Sequence, residues 1–167
     1  MLGRRPMATP MITNWKTIDA SEDKDVNPTL YRQLIGSLMY LVNTRPNICY
    51  VVNTLSQFMA EPKRAHWGAA KHVLRYIQGT VEYGLLYTRG KDIRLRGFTD
   101  TDRAGSLVDQ KSTIGYCFNI GSEMTIWCSK KQKSVALSSD EAEYMAASTT
   151  SFEAIWLRKL LVNLFRG

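Results

Sequence analysis

From Pro28 onward, apolar residues recur every three or four positions. Leu30, Leu34, Leu38, Met39, Leu41 and Val42 share that spacing, which predicts a mostly buried helix from roughly Leu30 to Asn43. Arg45-Pro46 restarts the chain, since proline suits the first turn of a helix. A second helix is expected through about Met59, with Ile48, Val51, Val52, Leu55 and Phe58 as its apolar stripe. After the basic connector Glu61-Pro62-Lys63-Arg64, a third runs from about Ala65 to Gln78 and ends at Gly79. Its stripe is Trp67, Ala70, Val73, Leu74 and Ile77, and Lys63, Arg64, Lys71 and Arg75 are left to solvent. Three helices with short joints predict a compact antiparallel bundle with one basic flank.

After Gly79 the period falls from 3.6 to 2. Tyr83 to Tyr87, Leu95 to Thr101, Ser112 to Asn119 and Met124 to Ser129 are expected strands, with turns at Arg89-Gly90 and Gly121-Ser122. Ser138 then reads as a helix N-cap, with Glu141 three residues on as its capping-box partner. That helix is expected to reach about Phe165 and to bury Met145, Phe152, Ile155, Trp156, Leu160 and Leu164. The fold class is α+β, divided as an irregular lead-in (1–29), a helical bundle (30–80) and an antiparallel sheet with one long packed helix (81–167).

Composition narrows this only a little. The chain has 167 residues, 44% hydrophobic and 22% charged, which suits a folded protein and excludes overall disorder. A net charge of +7 favours polyanionic partners such as nucleic acid, and serves solubility equally well. Cys49, Cys117 and Cys128 are far apart and form no Cys-x-x-Cys pair, so neither a zinc site nor a purely internal disulfide framework is expected. No run approaches the ~20 apolar residues of a membrane span, and residues 1 to 25 show no apolar core of a secretory signal. No membrane partner is expected.

The candidate chemistry lies in two acidic groups. Asp100 and Asp102 are two apart on an extended segment and share a face; adjacent carboxylates repel unless a cation or proton lies between them, as in many metal sites. An exposed acidic strand end explains the pair as well. Glu141 is occupied by capping, whereas Glu143, on the opposite side of the helix, is left for a ligand role. Lys63, Arg64, Lys71 and Arg75 could follow a phosphate backbone or form a solvated charged face. No phosphate-cradling glycine loop, Gly-x-Ser-x-Gly elbow or His-Glu-x-x-His helix is present.

Several blocks together carry a resemblance. They are Thr9-Pro10-Met11, Tyr31 to Leu41, Thr44-Arg45-Pro46-Asn47-Ile48, Lys71 to Thr80, Gly97-Phe98-Thr99-Asp100-Thr101-Asp102, Lys111 to Tyr116, Ile126 to Gln132 and Ser138 to Tyr144. From about Ala8 to its end the chain resembles the C-terminal part of the Pol polyprotein of copia-type retrotransposons. That implies a reverse transcriptase thumb or connection segment in the helical part and a truncated ribonuclease H-like domain after it. Asp100 then matches the family's first metal-binding aspartate and Glu143 its helix glutamate, while the third aspartate, expected on a strand beyond the long helix, has no counterpart. Asn47 stands where the family usually has Asp, and Arg103 where it has Trp. Two-metal cleavage needs several carboxylates, so no catalysis is expected; Mg²⁺ or Mn²⁺ would be a cofactor only for residual ribonuclease H activity on RNA–DNA hybrids. The absent strand would leave the Asp100 strand as an exposed edge.

The chain also resembles short stand-alone copies of this segment among secreted RxLR effectors of oomycete plant pathogens. That implies secretion, action in the nucleus or cytoplasm of a host plant cell, a host protein as partner, and interference with immunity or cell death. Arg32-Gln33-Leu34-Ile35 and His72-Val73-Leu74-Arg75 are degenerate versions of the Arg-x-Leu-Arg motif, and both fall in expected helices. An intracellular retroelement fragment is the alternative.

Overall fold

A computed structural model describes residues 4–12, 24–88, 94–102 and 110–165. The chain is α+β and divides into two compact units, Met1–Gly84 and Leu85–Gly167. The expected turn at Arg89-Gly90 lies outside the described residues, as do Arg103 and part of the lead-in.

The first unit contains α1 (Pro28–Val42), α2 (Cys49–Ser56) and α3 (Arg64–Gly79), with a 3-10 turn at Pro46–Ile48 opening α2. Asn27 caps α1 by accepting the Thr29 and Leu30 amides on its Oδ1, and Pro28 occupies the first turn where its missing N–H costs nothing. His66 Nδ1 accepts the Lys63 amide at 3.0 Å, which closes the start of α3. The core comprises Tyr31, Ile35 and Leu38 of α1, Ile48, Val51, Val52 and Leu55 around α2, and Ala70, Val73 and Tyr76 of α3. The face of α1 is therefore rotated from the expectation: Leu30 and Met39 are exposed. Tyr31 takes the central place because its ring fills the bundle while its hydroxyl donates to the Leu55 carbonyl at 2.9 Å, satisfying the one polar atom it buries. Trp67 packs at its side with ring centroids 6.4 Å apart.

The second unit is a three-stranded antiparallel sheet in the order β1-β2-β3, with β1 Leu95–Asp102, β2 Thr113–Ile120 and β3 Glu123–Lys131. The long helix α4 (Ser139–Phe165) packs on it, chiefly over β1. The turn at Gly121-Ser122 forms as expected, with Gly121 at φ 70°, a value glycine adopts without strain. A bulge follows Phe118, since Phe118 pairs with Ile126 and Asn119 with Met124. Ser138 Oγ accepts the Glu141 amide at 3.0 Å and caps α4; the Glu141 carboxylate reaches one residue further back than a standard capping box, accepting the Leu137 amide.

Two expectations fail here. Residues 83–87 are irregular rather than a strand. Gly84 interrupts the run and Leu86 and Tyr87 stay exposed, so its alternation meets no surface to bury. Instead Tyr87 donates its hydroxyl to the Met124 carbonyl. In α4 the buried positions are Ala142, Ala146, Thr150 and Leu157, not the large residues: Phe152, Ile155, Trp156, Leu160 and Leu164 are all exposed. The helix approaches the sheet along its small side chains, and among the described residues its remaining apolar face is exposed.

Candidate functional site

Register and alternation decide where the β1 carboxylates lie. Thr99 pairs with Tyr116 and Gly97 with buried Phe118, and the Thr150 hydroxyl of α4 donates to Thr99 Oγ1 at 3.0 Å. Leu95, Gly97, Thr99 and Thr101 thus face α4. The fit is close enough at Gly97 that a Cβ there would lie 2.6 Å from the Phe118 ring. Asp100 and Asp102 share the opposite face, as their spacing predicted, and both are exposed. Asp100 accepts the amide of Thr101 on its Oδ1 at 2.8 Å.

Glu143 is exposed in the first turns of α4, one residue from buried Ala142. It belongs to the layer that covers the other side of the sheet. Among the described residues, no group of three His, Cys, Asp or Glu side chains comes together to hold a metal ion. Asp100 and Asp102 thus lie on the face turned from the layer that carries Glu143.

One acidic side chain is tuned without any such role. Ser122 and Thr88 donate to Glu123, with Thr88 contributing both hydroxyl and amide, and these bonds hold its carboxyl down to about 2 from the ordinary 4.5. Burial pushes the Tyr116 hydroxyl well above its usual range, and hydrogen bonding with Cys128 and Glu153 adds to that. Burial also raises the Cys117 thiol. All three cysteines are free thiols and half-buried.

The four basic residues separate into two kinds. Arg64 and Lys71 are exposed, and the Lys71 ammonium stands 5.1 Å from the Trp67 ring centroid. Lys63 is held by Asp25 at 2.7 Å, and Arg75 Nε donates to the Arg5 carbonyl at 2.8 Å. The lead-in thus occupies half of the cations expected to meet solvent, a fold-back that helical spacing alone could not reveal. Asn47 donates to the Tyr76 hydroxyl at 2.6 Å. The Arg32-Gln33-Leu34-Ile35 quartet lies in α1, where Arg32 donates to the Met59 carbonyl and Ile35 is fully buried. Those residues cannot be read as an extended motif while the bundle is folded.

Sequence reasoning overlooked a second cationic cluster. Lys130, Lys131 and Lys133 surround an open groove of 650 Å³ beside the start of α4, lined also by Ile114, Gln132 and Tyr144. Its signal was the run Ser129-Lys130-Lys131-Gln132-Lys133.

Comparison with known proteins gives consistent matches over this range. The chain is 45% identical over 164 residues to a retrovirus-related Pol polyprotein from transposon RE2 of Arabidopsis thaliana, which takes in 98% of this chain and 11% of that protein. It is 48% identical over 128 residues to secreted RxLR effector protein 161 of Plasmopara viticola, covering 76% of this chain and 90% of that one. An uncharacterized mitochondrial protein of Arabidopsis thaliana is 37% identical over 156 residues, 65% of its length. The chain spans only about a tenth of the Pol polyproteins it matches. No protein-family model matches the chain, and no solved structure does.

Proposed function

Since this chain belongs to the copia-type retrotransposon Pol family, we propose that it acts without catalysis, as a retroelement-derived binding protein. Its role is that of a secreted RxLR-type effector, which engages a host plant protein and interferes with immunity or cell death. The observation carrying this reading is the span of the effector relative: 90% of that protein falls within the match, so a free-standing chain of nearly this extent bears that description. The placement of the carboxylates supports the non-catalytic part, because Asp100 and Asp102 face away from the helix that carries Glu143. Expression in leaf tissue tests the role. An altered cell-death response that persists in Glu143→Gln supports it; no response from a chain that accumulates in the leaf would end it.

A second reading is favoured by the Pol relatives and by exposed Arg64 and Lys71 on α3: a Pol fragment that binds RNA–DNA hybrids, with residual metal-dependent ribonuclease H activity. Its test is cleavage of a labelled hybrid by the purified chain in Mg²⁺ and Mn²⁺. This reading requires cleavage that Asp100→Asn and Glu143→Gln each abolish. Absence of cleavage by the folded chain leaves the binding role.

A further inference from the structure

We propose that the open edge of β1 is a self-recognition surface, on which a second copy of this chain adds its own β1 antiparallel. Phe98 then lies opposite Phe98, and Arg96 opposite Asp100 of the second copy. This goes beyond the effector reading and does not depend on it.

Among the described residues β1 pairs only with β2. The Gly121 amide donates to the Arg94 carbonyl at 2.9 Å, so even-numbered residues of this strand direct their backbone groups toward β2. The backbone groups of Leu95, Gly97, Thr99 and Thr101 therefore point to the open edge. The side chains of Arg96, Phe98 and Asp100 all lie on the face turned from α4 and are exposed, with Phe98 at 57%.

Along that face the order is cation, aromatic, anion at every second residue. Reversing the order exchanges the cation and the anion about the aromatic. An antiparallel copy centred on Phe98 consequently sets each Arg96 against an Asp100, twice, around a Phe98 pair. These fall at non-hydrogen-bonded positions, where facing Cα atoms are about 4.5 Å apart and side chains meet most closely. The alternate pairs, Gly97 with Thr99 and Leu95 with Thr101, give the outward backbone groups their partners. Arg94 and Asp102 continue the same pattern in the same register.

Other pairings are disfavoured. A parallel copy aligns like charges, and a shift of two residues sets Phe98 against Asp100. Charges on an edge strand ordinarily repel foreign strands, yet this arrangement attracts its own copy. Asp100 exchanges the Thr101 amide it now accepts for Arg96 of the second copy, releasing that amide to the new ladder. The same edge also offers apolar surface to cover: an open groove of 590 Å³ there is lined by Leu95, Ala154, Ile155 and Val162 together with Arg94 and Arg158, and by no residue of β2 or β3.

Sedimentation velocity of the purified full chain over a wide concentration range is the test. The wild type is expected to pass from monomer to dimer as concentration rises. Asp100→Arg and Arg96→Asp should each move the midpoint up by about tenfold, the effect of two cross-strand pairs turned from attraction to repulsion. The double variant Arg96→Asp/Asp100→Arg should return close to the wild-type midpoint. A wild type that stays monomeric, single reversals that leave the dimer unmoved, or a double variant that stays dissociated would each overturn the proposal. Phe98→Cys reads the register separately, because each cysteine would face its own copy. Mild oxidation should join two chains beyond any linkage seen without the substitution, and failure to do so would exclude this pairing.

Discussion

The two units use similar amounts of apolar side chain to different ends. In the helical unit the large residues converge: Tyr31, Ile35, Leu55, Val52 and Val73 are buried between three helices that cover one another. In the sheet unit the buried apolar side chains among the described residues are Ile114 and Phe118 of the strands, Ala136, and Ala142, Ala146 and Leu157 of α4, while Phe152, Trp156 and Leu164 remain more than half exposed. A bundle closes on itself because every helix has a neighbour on its apolar side. Among the described residues, a sheet of three strands under a helix of 27 residues covers one stripe of it and leaves the other apolar side chains exposed. The contrast shows that the same hydrophobic content can complete a core or present a surface, and that the number of neighbouring elements decides which.

The sharpest way to break the contrast is to empty each core. Tyr31→Ala and Phe118→Ala each remove a fully buried ring and should cost about 3–5 kcal/mol. Amide hydrogen exchange will locate the loss, in α1 to α3 for the first and in β1 to β3 for the second. Next in size is a pair of neighbours on α4. Leu157→Ala should cost about 2–3 kcal/mol because Leu157 is buried, whereas Trp156→Ala should stay within about 0.5 kcal/mol despite removing the larger group. Urea unfolding of both variants checks the difference, and equal losses would mean that the outer face of α4 is covered.

Smaller effects follow from local bonds. Ser138→Ala deletes the cap of α4 and should cost about 1 kcal/mol, read by the same urea titration. The smallest concerns pH. Glu123 has a folded-state pKa near 2, below its ordinary 4.5, so the stability it contributes is complete above that ordinary value and is lost as pH falls toward 2. Acid titration of the wild type against Glu123→Gln should show a shallower decline for the variant over that window, confined to the sheet unit.

Much of the helical unit was legible because its signals are local. Pro46 and Gly79 mark helix limits through backbone restriction, whereas the Asn27 cap that starts α1 at Pro28 was not expected; in the sheet unit the Ser138 cap was, through a bond that reaches only three residues. The strands from Leu95, Thr113 and Glu123 were legible for the same reason, through alternation and the turn at Gly121. The side of α4 that meets the sheet was not. Periodicity favours the large residues Phe152, Ile155 and Trp156, but the helix lies close to β1 through Ala146 and Thr150, and closeness of approach is set by both partners. Nor could spacing show that Asp25 and the Arg5 carbonyl would hold Lys63 and Arg75, partners 38 and 70 residues away.

For the candidate site the division is similar. The sequence alone determined that Asp100 and Asp102 share a face, because alternation is a property of an extended backbone, and its blocks placed the chain in the copia-type family. The tertiary structure alone decided which face that is. Thr99 meets Thr150, so Thr99 and Thr101 turn toward α4, while Asp100 and Asp102 turn away from the layer carrying Glu143. Alternation is indifferent to which set of side chains lies inward; only the packing of a second layer against the sheet makes that choice.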